Sequence, residues 1–273
     1  MIISIEGHEK TGKSSFAYTA PLPIVAFSLD MGHERALYGQ LFPTFFKDLK
    51  VDIVDYNTSV KPTEPTADIT VYLMPSPMQL NADKLVGYME QWDYFLARYV
   101  MAMTNKTTNT VVVDTMTLMR KLKINAYLQE LQGQGKARKQ LQQIEYGHPD
   151  GAIRDLYTFA KTTTSKNLIA IHHLRDHYSA VVSRDGLVTT AADGTFEIDG
   201  VRDTAKFIDV GLRMNKERNK PLTATIEVCG SNLNMEGNML PNPTWDKVVD
   251  MISIGWYGTP FPRRAIKEEV SGS

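Results

Sequence analysis

IISIEGHEKTGKSSFA, at residues 2–17, is the stretch that decides the fold. It opens with a short apolar run that is typical of a buried strand, and it closes with the apolar start of a helix. Between them, Gly7 to Ser14 follow the spacing Gly-x-x-x-x-Gly-Lys-Ser, the phosphate-binding pattern of nucleotide-binding proteins. The two glycines let the backbone curl so that successive N–H groups point at one phosphate. We therefore predict a phosphate-binding loop at the end of the first strand.

This loop also predicts the ligands. Lys13 supplies a compact positive charge for the β- and γ-phosphates, and Ser14 offers a hydroxyl to Mg²⁺. The amino end of the following helix favours the same anion. We therefore expect ATP and Mg²⁺, with the nucleotide held by Gly7, His8, Glu9, Lys10, Thr11, Gly12, Lys13, Ser14 and Ser15.

A second carboxylate for the metal follows another apolar run. Residues 109–114 contain three consecutive valines, which is typical of a strand buried on both faces. Asp114 ends this run, at the sheet edge where open α/β sheets bind ligands, and such a carboxylate can hold Mg²⁺ through water. An ordinary strand-ending or helix-capping Asp is the alternative. Thr115 follows, rather than the Glu that serves as base in large classes of ATPases and helicases.

The order of the predicted elements gives the fold class. Strands at residues 2–6, 23–29, 109–114 and 167–174 alternate with helices, and residues 207–214 and 222–228 read as a hairpin. This order predicts an α/β fold, a mainly parallel sheet with helices on both faces and a C-terminal antiparallel hairpin.

The domain organisation follows from the less regular segments. We expect a single domain over residues 1–256, with an insertion or edge hairpin at about 41–82, and a C-terminal tail over 257–273. Residues 176–202 are polar and rich in turn formers, which predicts a long loop.

Composition narrows the class of protein. The chain has 273 residues and a net charge of −1, so nucleic-acid binding would depend on local patches. Cys229 is the one cysteine, which excludes an internal disulfide and a Cys-rich zinc site. No apolar run is long enough for a membrane span. We expect a cytoplasmic protein without a membrane partner.

A family resemblance enters with residues 167–175, NLIAIHHLR. This segment resembles a strand of RecA, with His173 at the position of the Gln that senses the γ-phosphate. In having His rather than Gln at this position, the chain resembles the RecA-like ATPases that bacteriophages encode, a group that includes annealing and recombination proteins. The resemblance covers roughly residues 1–40 and 109–230. It implies a RecA-like P-loop core, and it implies that residues 176–202 stand where these proteins carry a DNA-binding loop.

The resemblance also implies an assembly. Lys216 and Arg218 are similar to the two cations that reach a neighbour's γ-phosphate in RecA-like oligomers, where they stabilise the charge of phosphoryl transfer. Single-stranded DNA, a ring or filament of the same chain, and a single-strand-binding protein or other replication partner are the partners that this implies. In a phage-encoded protein, the compartment would be the cytoplasm of the host.

The sequence departs from RecA at the catalytic base. RecA has a Glu just after the second strand, and the nearest position here is Gly32. Glu34 or Asp30 is the remaining candidate to orient the water, and the catalytic set that we predict is Lys13, Glu34, His173, Lys216 and Arg218. Slow or DNA-dependent hydrolysis is the expectation.

Residues 118–142 are basic, and this stretch has two interpretations. It is either a solvated helix face or a track for a phosphate backbone, with Tyr127 and Tyr146 available for base stacking. The cations concerned are Arg120, Lys121, Lys123, Lys136, Arg138 and Lys139.

Three functions remain open at this point. The first is a RecA-like ATPase that acts on single-stranded DNA in phage recombination or annealing. The second is a non-catalytic ATP-dependent switch or loader that binds a protein partner. The third is a P-loop kinase of a small substrate, although the Asp-, Gly- and Thr-rich segment 176–202 makes a poor arginine lid.

Overall fold

The computed structural model describes residues 1–39, 41–77, 84–136, 138–182 and 188–264. Its strands are β1 (Ile2–Glu6), β2 (Ile24–Ser28), β3 (Val51–Val54), β4 (Ile69–Leu73), β5 (Thr110–Asp114), β6 (Asn167–Ile171), β7 (Leu174–Val182), β8 (Val188–Ile198), β9 (Val210–Asn215), β10 (Thr223–Cys229) and β11 (Met239–Pro241). Its α-helices are α1 (Lys13–Ala17), α2 (His33–Tyr38), α3 (Pro43–Phe46), α4 (Tyr88–Thr104), α5 (Met116–Gly133), α6 (Gly147–Thr163) and α7 (Trp245–Ile252).

Nine strands form one sheet in the order β11-β10-β9-β1-β6-β5-β2-β4-β3. From β9 to β3 every neighbouring pair is parallel, and β10 runs antiparallel to both β9 and β11. The predicted fold class is thereby confirmed: a mainly parallel α/β sheet with helices on both faces that closes in a C-terminal antiparallel hairpin.

The central strands are buried on both faces because helices cover the two sides of the sheet. Every residue of β1, β2, β5 and β6 is buried. Successive side chains point to opposite faces, so Ile3 joins the core with α1, α2 and α7, whereas Ile2 joins the core with α4, α5 and α6. The continuous apolar runs of these strands reflect this double burial.

The segment 41–82 contains two strands of the main sheet, as far as it is described. β3 pairs in parallel with β4, and β4 pairs in parallel with β2. An edge hairpin is therefore the wrong description of this pair, since a hairpin requires antiparallel strands. Residues 78–82 lie outside the described residues, and the domain boundaries proposed above stay a prediction.

The loop predicted for residues 176–202 is wrong over most of its length. β7 and β8 form a separate two-stranded antiparallel ribbon, called here the ribbon, with a register shift between Asp176 and Tyr178. Its β-branched and aromatic residues favour strands, and this propensity outweighs the polar composition on which the loop prediction depended. Residues 183–187 lie outside the described residues.

The described part of the tail packs on the side of the sheet that α1, α2 and α7 cover. Arg264 donates hydrogen bonds to the backbone oxygens of Tyr18 and Phe45, each at 2.8 Å. The buried Trp245 donates from Nε1 to the Pro262 oxygen at 2.7 Å. Across the described ranges, no helix is both long and apolar enough to span a bilayer.

Candidate nucleotide site

The glycine pattern forms a tight loop between β1 and α1. Gly12 has φ +79°, and a Cβ there would lie 2.8 Å from Leu41 Cδ2. A Cβ on Gly7 would lie 2.6 Å from the backbone oxygen of Met214. Gly12 therefore requires glycine for its backbone conformation, whereas Gly7, with φ +153°, requires it both for its backbone conformation and for space. Because α1 has only five residues, the N–H groups of the loop itself must supply most of the positive potential.

Lys13 is held across this loop. Its side chain is buried, and Nζ donates to the Gly7 oxygen at 2.8 Å and to the His8 oxygen at 2.7 Å. Burial lowers the pKa of Lys13, while the carboxylates of Asp114, Asp30 and Glu9 act in the opposite direction. The ammonium is thus held by the backbone oxygens at the start of the loop.

An open cleft of about 730 Å³ lies over the loop, within the usual size range of ligand sites. Four connections at the carboxyl edge of the sheet, together with the loop, contribute its walls. The lining residues are Glu9, Lys10, Thr11, Gly12, Lys13, Ser14, Ser15, Asp30, Gly32, Arg35, Ala36, Gly39, Leu41, Asp114, His173, Lys216 and Leu222. Seven of the nine predicted loop residues line the cleft, and Gly7 and His8 instead hold Lys13 through their oxygens.

Asp114 ends β5 at the floor of this cleft. It is 1% exposed, and neither carboxylate oxygen has a hydrogen-bond partner among the described residues. Burial, with a smaller contribution from Asp30, raises the pKa of Asp114 above its usual range, and Ser14, Lys13 and Arg35 offset part of this increase. A buried carboxylate without a partner is costly, so it indicates a ligand rather than a structural role.

The donor set around Asp114 fits Mg²⁺. Magnesium takes oxygen ligands, commonly one or two carboxylates together with phosphate and water. Ser14 and Asp114 line the same cleft and supply a hydroxyl and a carboxylate. The helix-cap alternative for Asp114 is not what the structure shows, because Thr115 is the N-cap of α5 and its hydroxyl accepts from Leu118 N at 3.2 Å.

His173 joins the cleft to the ribbon. It is half-buried, and burial together with the charge of Lys13 lowers its pKa. Its backbone N donates to the Thr117 hydroxyl at 3.0 Å, and its oxygen accepts from Asp199 N at 2.9 Å. A side chain that lines the cleft is therefore tied through its backbone to the base of the ribbon, and the sensor role of His173 stays a prediction.

His172 points to the opposite face of the strand end and is fully buried. Its Nε2 lies 3.2 Å from the Tyr157 hydroxyl, and Nδ1 has no partner among the described residues. Burial lowers the pKa of His172 to about 3. His172 is thus a neutral core residue.

This burial predicts acid sensitivity. The unfolded chain binds a proton at His172 near pH 6.5, whereas the folded chain binds it only near pH 3. The contribution of His172 to the free energy of unfolding should therefore fall by about 1.4 kcal/mol for each pH unit below 6.5. The test is urea unfolding at pH 7, 6, 5 and 4. The free energy of unfolding of His172→Gln, relative to that of the native protein, should rise by about this amount for each pH unit below 6.5. A difference between the two proteins that stays constant with pH would contradict the prediction.

The two candidates for the base are placed differently. Asp30 lines the cleft, and its Oδ1 accepts from Gly32 N at 2.9 Å. Glu34 is exposed and is not among the residues that line the cleft. The structure thus brings Asp30, but not Glu34, to the loop. Arg35 also lines the cleft, and no sequence motif pointed to it.

The two hairpin cations are also separated. Lys216 lines the cleft of its own chain, and Nζ donates to the Lys220 oxygen at 3.0 Å. Arg218 lies at the exposed turn of the hairpin, outside the set of residues that line the cleft. A role of either cation at a neighbour's site stays a prediction.

The basic stretch is largely neutralised within the chain. Four of its cations have partners within the chain, three on α5 and Arg138 after its end, which favours a charged protein surface over a phosphate track. The pairs are Arg120 with Asp150 at 2.7 Å, Lys121 with Asp199 at 3.2 Å, Lys123 over the Trp92 ring at 4.7 Å, and Arg138 with Glu145. Tyr127 stacks on His148, with ring centroids 4.2 Å apart.

The ribbon touches the loop and presents aromatic rings. The Phe196 ring packs edge-on against the ring of His8, with centroids 4.7 Å apart. Tyr178 is 61% exposed and Phe196 is 40% exposed. The ribbon charges pair within the ribbon, Arg175 with Glu197 and His177 with Asp193. Over the described part of the ribbon, a nucleic acid would therefore meet aromatic faces and paired charges.

The fold and the cleft together define a mainly parallel α/β protein with a glycine-rich loop of the phosphate-binding pattern at the carboxyl end of its first strand. No family model and no curated protein sequence matches the chain. Among solved structures, the chain is similar to the RadB recombinase, at 13% identity over 87% of this chain and 84% of that chain, with a TM-score of 0.43. The residues of the cleft, rather than this similarity, carry the functional proposal.

Proposed function

We propose that this chain is a RecA-like ATPase that binds MgATP in the cleft and acts on single-stranded DNA in phage recombination or annealing. One observation carries the nucleotide part of the proposal. The buried carboxylate of Asp114, without a partner among the described residues, shares a cleft with Ser14 and Lys13 of the glycine loop. A bound magnesium–nucleotide complex would supply the missing partner.

Each part of the cleft has a distinct task in this proposal. The N–H groups of the loop and Lys13 bind and orient the β- and γ-phosphates. Ser14, and Asp114 through water, would hold Mg²⁺, which when bound neutralises charge on the phosphates. Asp30 orients the attacking water in place of Glu34, and His173 detects the γ-phosphate. Lys216 lies close enough to line the same cleft.

The DNA part of the proposal is supported by the ribbon. It begins directly after His173, and it touches the loop through Phe196 and His8. The nucleotide state would thereby bias the position of the ribbon, whose exposed rings of Tyr178 and Phe196 can stack on bases. Base–aromatic stacking is tolerant of sequence, which suits annealing or strand exchange. A ring or filament of the same chain, in which Lys216 and Arg218 face a neighbour, and a single-strand-binding protein complete the proposed assembly.

A non-catalytic switch or loader is the second candidate, and one observation favours it. Gly32 stands at the position of the RecA glutamate, and Glu34 does not line the cleft. A chain without a working base would bind ATP and a protein partner with little turnover. A kinase has no comparable support, because Arg175 of the ribbon is paired with Glu197 at 2.8 Å instead of being available to a lid.

The test is ATP hydrolysis measured with and without single-stranded DNA, beside MgATP binding by calorimetry. Stimulation by DNA supports the first candidate, and binding without turnover under either condition supports the switch. Phosphate transfer to a small acceptor would support a kinase. No affinity for any magnesium–nucleotide complex would overturn the proposal as a whole.

The ribbon gives a separate prediction. If bases stack on it, the double variant Tyr178→Ala with Phe196→Ala should weaken single-stranded DNA binding by about 2–6 kcal/mol, at about 1–3 kcal/mol per ring. Fluorescence anisotropy with a labelled oligonucleotide measures this loss. Tyr257→Ala is a matched control, because Tyr257 is 98% exposed and lies far along the chain from the ribbon. Equal affinity of the double variant and the control would remove the ribbon from the DNA site.

A further inference from the structure

The space beside Gly32 is filled by two charged side chains. A Cβ on residue 32 would lie 3.0 Å from Asp30 Oδ1 and 3.4 Å from Arg35 Nη2. The resemblance to RecA places a glutamate side chain at this point of the connection after β2. In this chain, the carboxylate of Asp30 and the guanidinium of Arg35 border that volume, so that a Cβ on residue 32 would contact Arg35 and make the Asp30 carboxylate shift slightly.

Arg35 is available for a ligand. Its side chain is exposed and lines the cleft with Lys13 and Asp114. No hydrogen bond or ion pair holds its guanidinium within the described ranges of the chain. Its positive charge acts on Asp114 at the floor of the cleft, because it partly offsets the increase in the pKa of that carboxyl group. An arginine without a partner in a phosphate cleft has the fork of donors that binds phosphate oxygens in pairs.

Asp30 is held in a defined orientation beside it. Oδ1 accepts from Gly32 N at 2.9 Å, which leaves Oδ2 as an acceptor for a water molecule. Because Asp30 and Arg35 flank the same point, a water that Asp30 orients would lie beside a phosphate that Arg35 contacts.

We propose that Arg35 binds the terminal phosphate of the nucleotide in its own chain and that Asp30 orients the attacking water. This proposal rests on the proposed function. The water oxygen forms a bond to the γ-phosphorus, and the bond from that phosphorus to the β–γ bridging oxygen breaks. Its electron pair leaves on ADP, and the water proton passes to Asp30 and then to the released phosphate. Arg35 stabilises the charge that spreads over the γ-phosphoryl oxygens.

The charges of the cleft support a site completed within one chain. Four cations line it, against three carboxylates, before any neighbour is added; the cations are Lys10, Lys13, Arg35 and Lys216, and the carboxylates are Glu9, Asp30 and Asp114. RecA-like proteins, by the resemblance, take the corresponding cations from a neighbour. Arg35 would supply one such cation from within its own chain, beside those that a neighbour adds.

The first experiment compares nucleotide affinities. Arg35→Ala should weaken ATP binding at least about tenfold more than ADP binding, because only ATP carries the γ-phosphate. Single-turnover hydrolysis should fall on the order of 10³-fold, and Arg35→Lys should recover only part of it, since lysine cannot bind two oxygens in one plane. Asp30→Asn should slow hydrolysis without changing the ATP to ADP affinity ratio. Arg263→Ala is the matched control, because Arg263 is exposed, pairs with Asp250 and is not among the residues that line the cleft, and it should leave both readouts unchanged.

The second experiment separates action within one chain from action on a neighbour. Arg35→Ala is mixed in equal amounts with Lys13→Ala, which lacks the phosphate lysine but keeps Arg35. If Arg35 acts within its own chain, neither partner has a complete site and the mixture stays inactive. Recovered hydrolysis in the mixture would place Arg35 at a neighbour's site and overturn the proposal.

The outcomes distinguish this inference from the proposed function. Failure of the native protein to bind MgATP would remove both. Normal ATP binding by the native protein, with an ATP to ADP ratio unchanged in Arg35→Ala, would remove only the role of Arg35. If the native protein binds ATP without turnover, the affinity ratio still tests the contact with the terminal phosphate.

Discussion

Replacing Lys13 with alanine should abolish MgATP binding and hydrolysis. Lys13 is buried at the base of the cleft, between the glycine loop and Asp114, so a phosphate that enters the loop meets its ammonium. Loss of one preorganised donor to a phosphoryl group costs about 10²–10³-fold in turnover, and loss of the ground-state contact weakens binding as well. Calorimetry with MgATP and a phosphate-release assay measure the two effects.

Folding must be intact for this result to be informative. Lys13→Ala leaves the Gly7 and His8 oxygens without the Nζ donor, which costs about 1 kcal/mol for each lost bond, but it also removes a buried charge. We therefore expect a melting temperature close to that of the native protein. Lys47→Ala is the matched control, because Lys47 is exposed and is not among the residues that line the cleft. Unchanged ATP affinity in a folded Lys13→Ala variant would remove the glycine loop from the function.

The sheet was predictable because its centre is buried twice. β1, β2, β5 and β6 have continuous apolar runs, and helices follow them at lengths suited to crossover connections. The glycine loop also had a sequence signature of its own, since the spacing from Gly7 to Ser14 reflects a backbone requirement. Both signals are local, so a single sequence contains them.

The ribbon was not predictable in the same way. Where burial is described, no residue of its strands is buried, so no buried face imposes a regular alternation there, and the register shift between Asp176 and Tyr178 interrupts the period further. Many of its described residues are exposed. A polar segment rich in Thr, Asp and Gly then resembles a loop in composition even where its backbone pairs.

The wall of the cleft opposite the loop was only partly predictable. Glu34 was chosen for its chemistry and its distance from Gly32 along the chain, but one residue of an α-helix corresponds to a rotation of about 100°. On the helix α2, Arg35 therefore faces the cleft, whereas Glu34 faces away from it. No motif defines which residue of a short helix faces a neighbouring loop, since tertiary packing decides its rotation.

Asp114→Asn should stabilise the protein and inactivate it at the same time. The native carboxylate is 1% exposed and has no hydrogen-bond partner among the described residues. Removing a buried charge of this kind should raise the free energy of unfolding by about 1–2 kcal/mol at neutral pH without Mg²⁺. Loss of the carboxylate should lower hydrolysis by at least about 100-fold, because the donor set proposed for Mg²⁺ loses its one buried acid. Chemical denaturation and phosphate release provide the two measurements.

This opposite movement of stability and activity distinguishes a ligand-binding acid from a structural one. A structural carboxylate has partners in the folded chain, so its removal destabilises the fold. Asp150→Asn, which breaks the 2.7 Å pair with Arg120, is the control. It should leave the free energy of unfolding unchanged or slightly lower, with activity retained. MgATP should raise the melting temperature of the native protein but not that of Asp114→Asn, because only a ligand that binds the folded state stabilises it. A destabilised Asp114→Asn variant that still hydrolyses ATP would mean that Asp114 supports the fold and that the metal is held elsewhere.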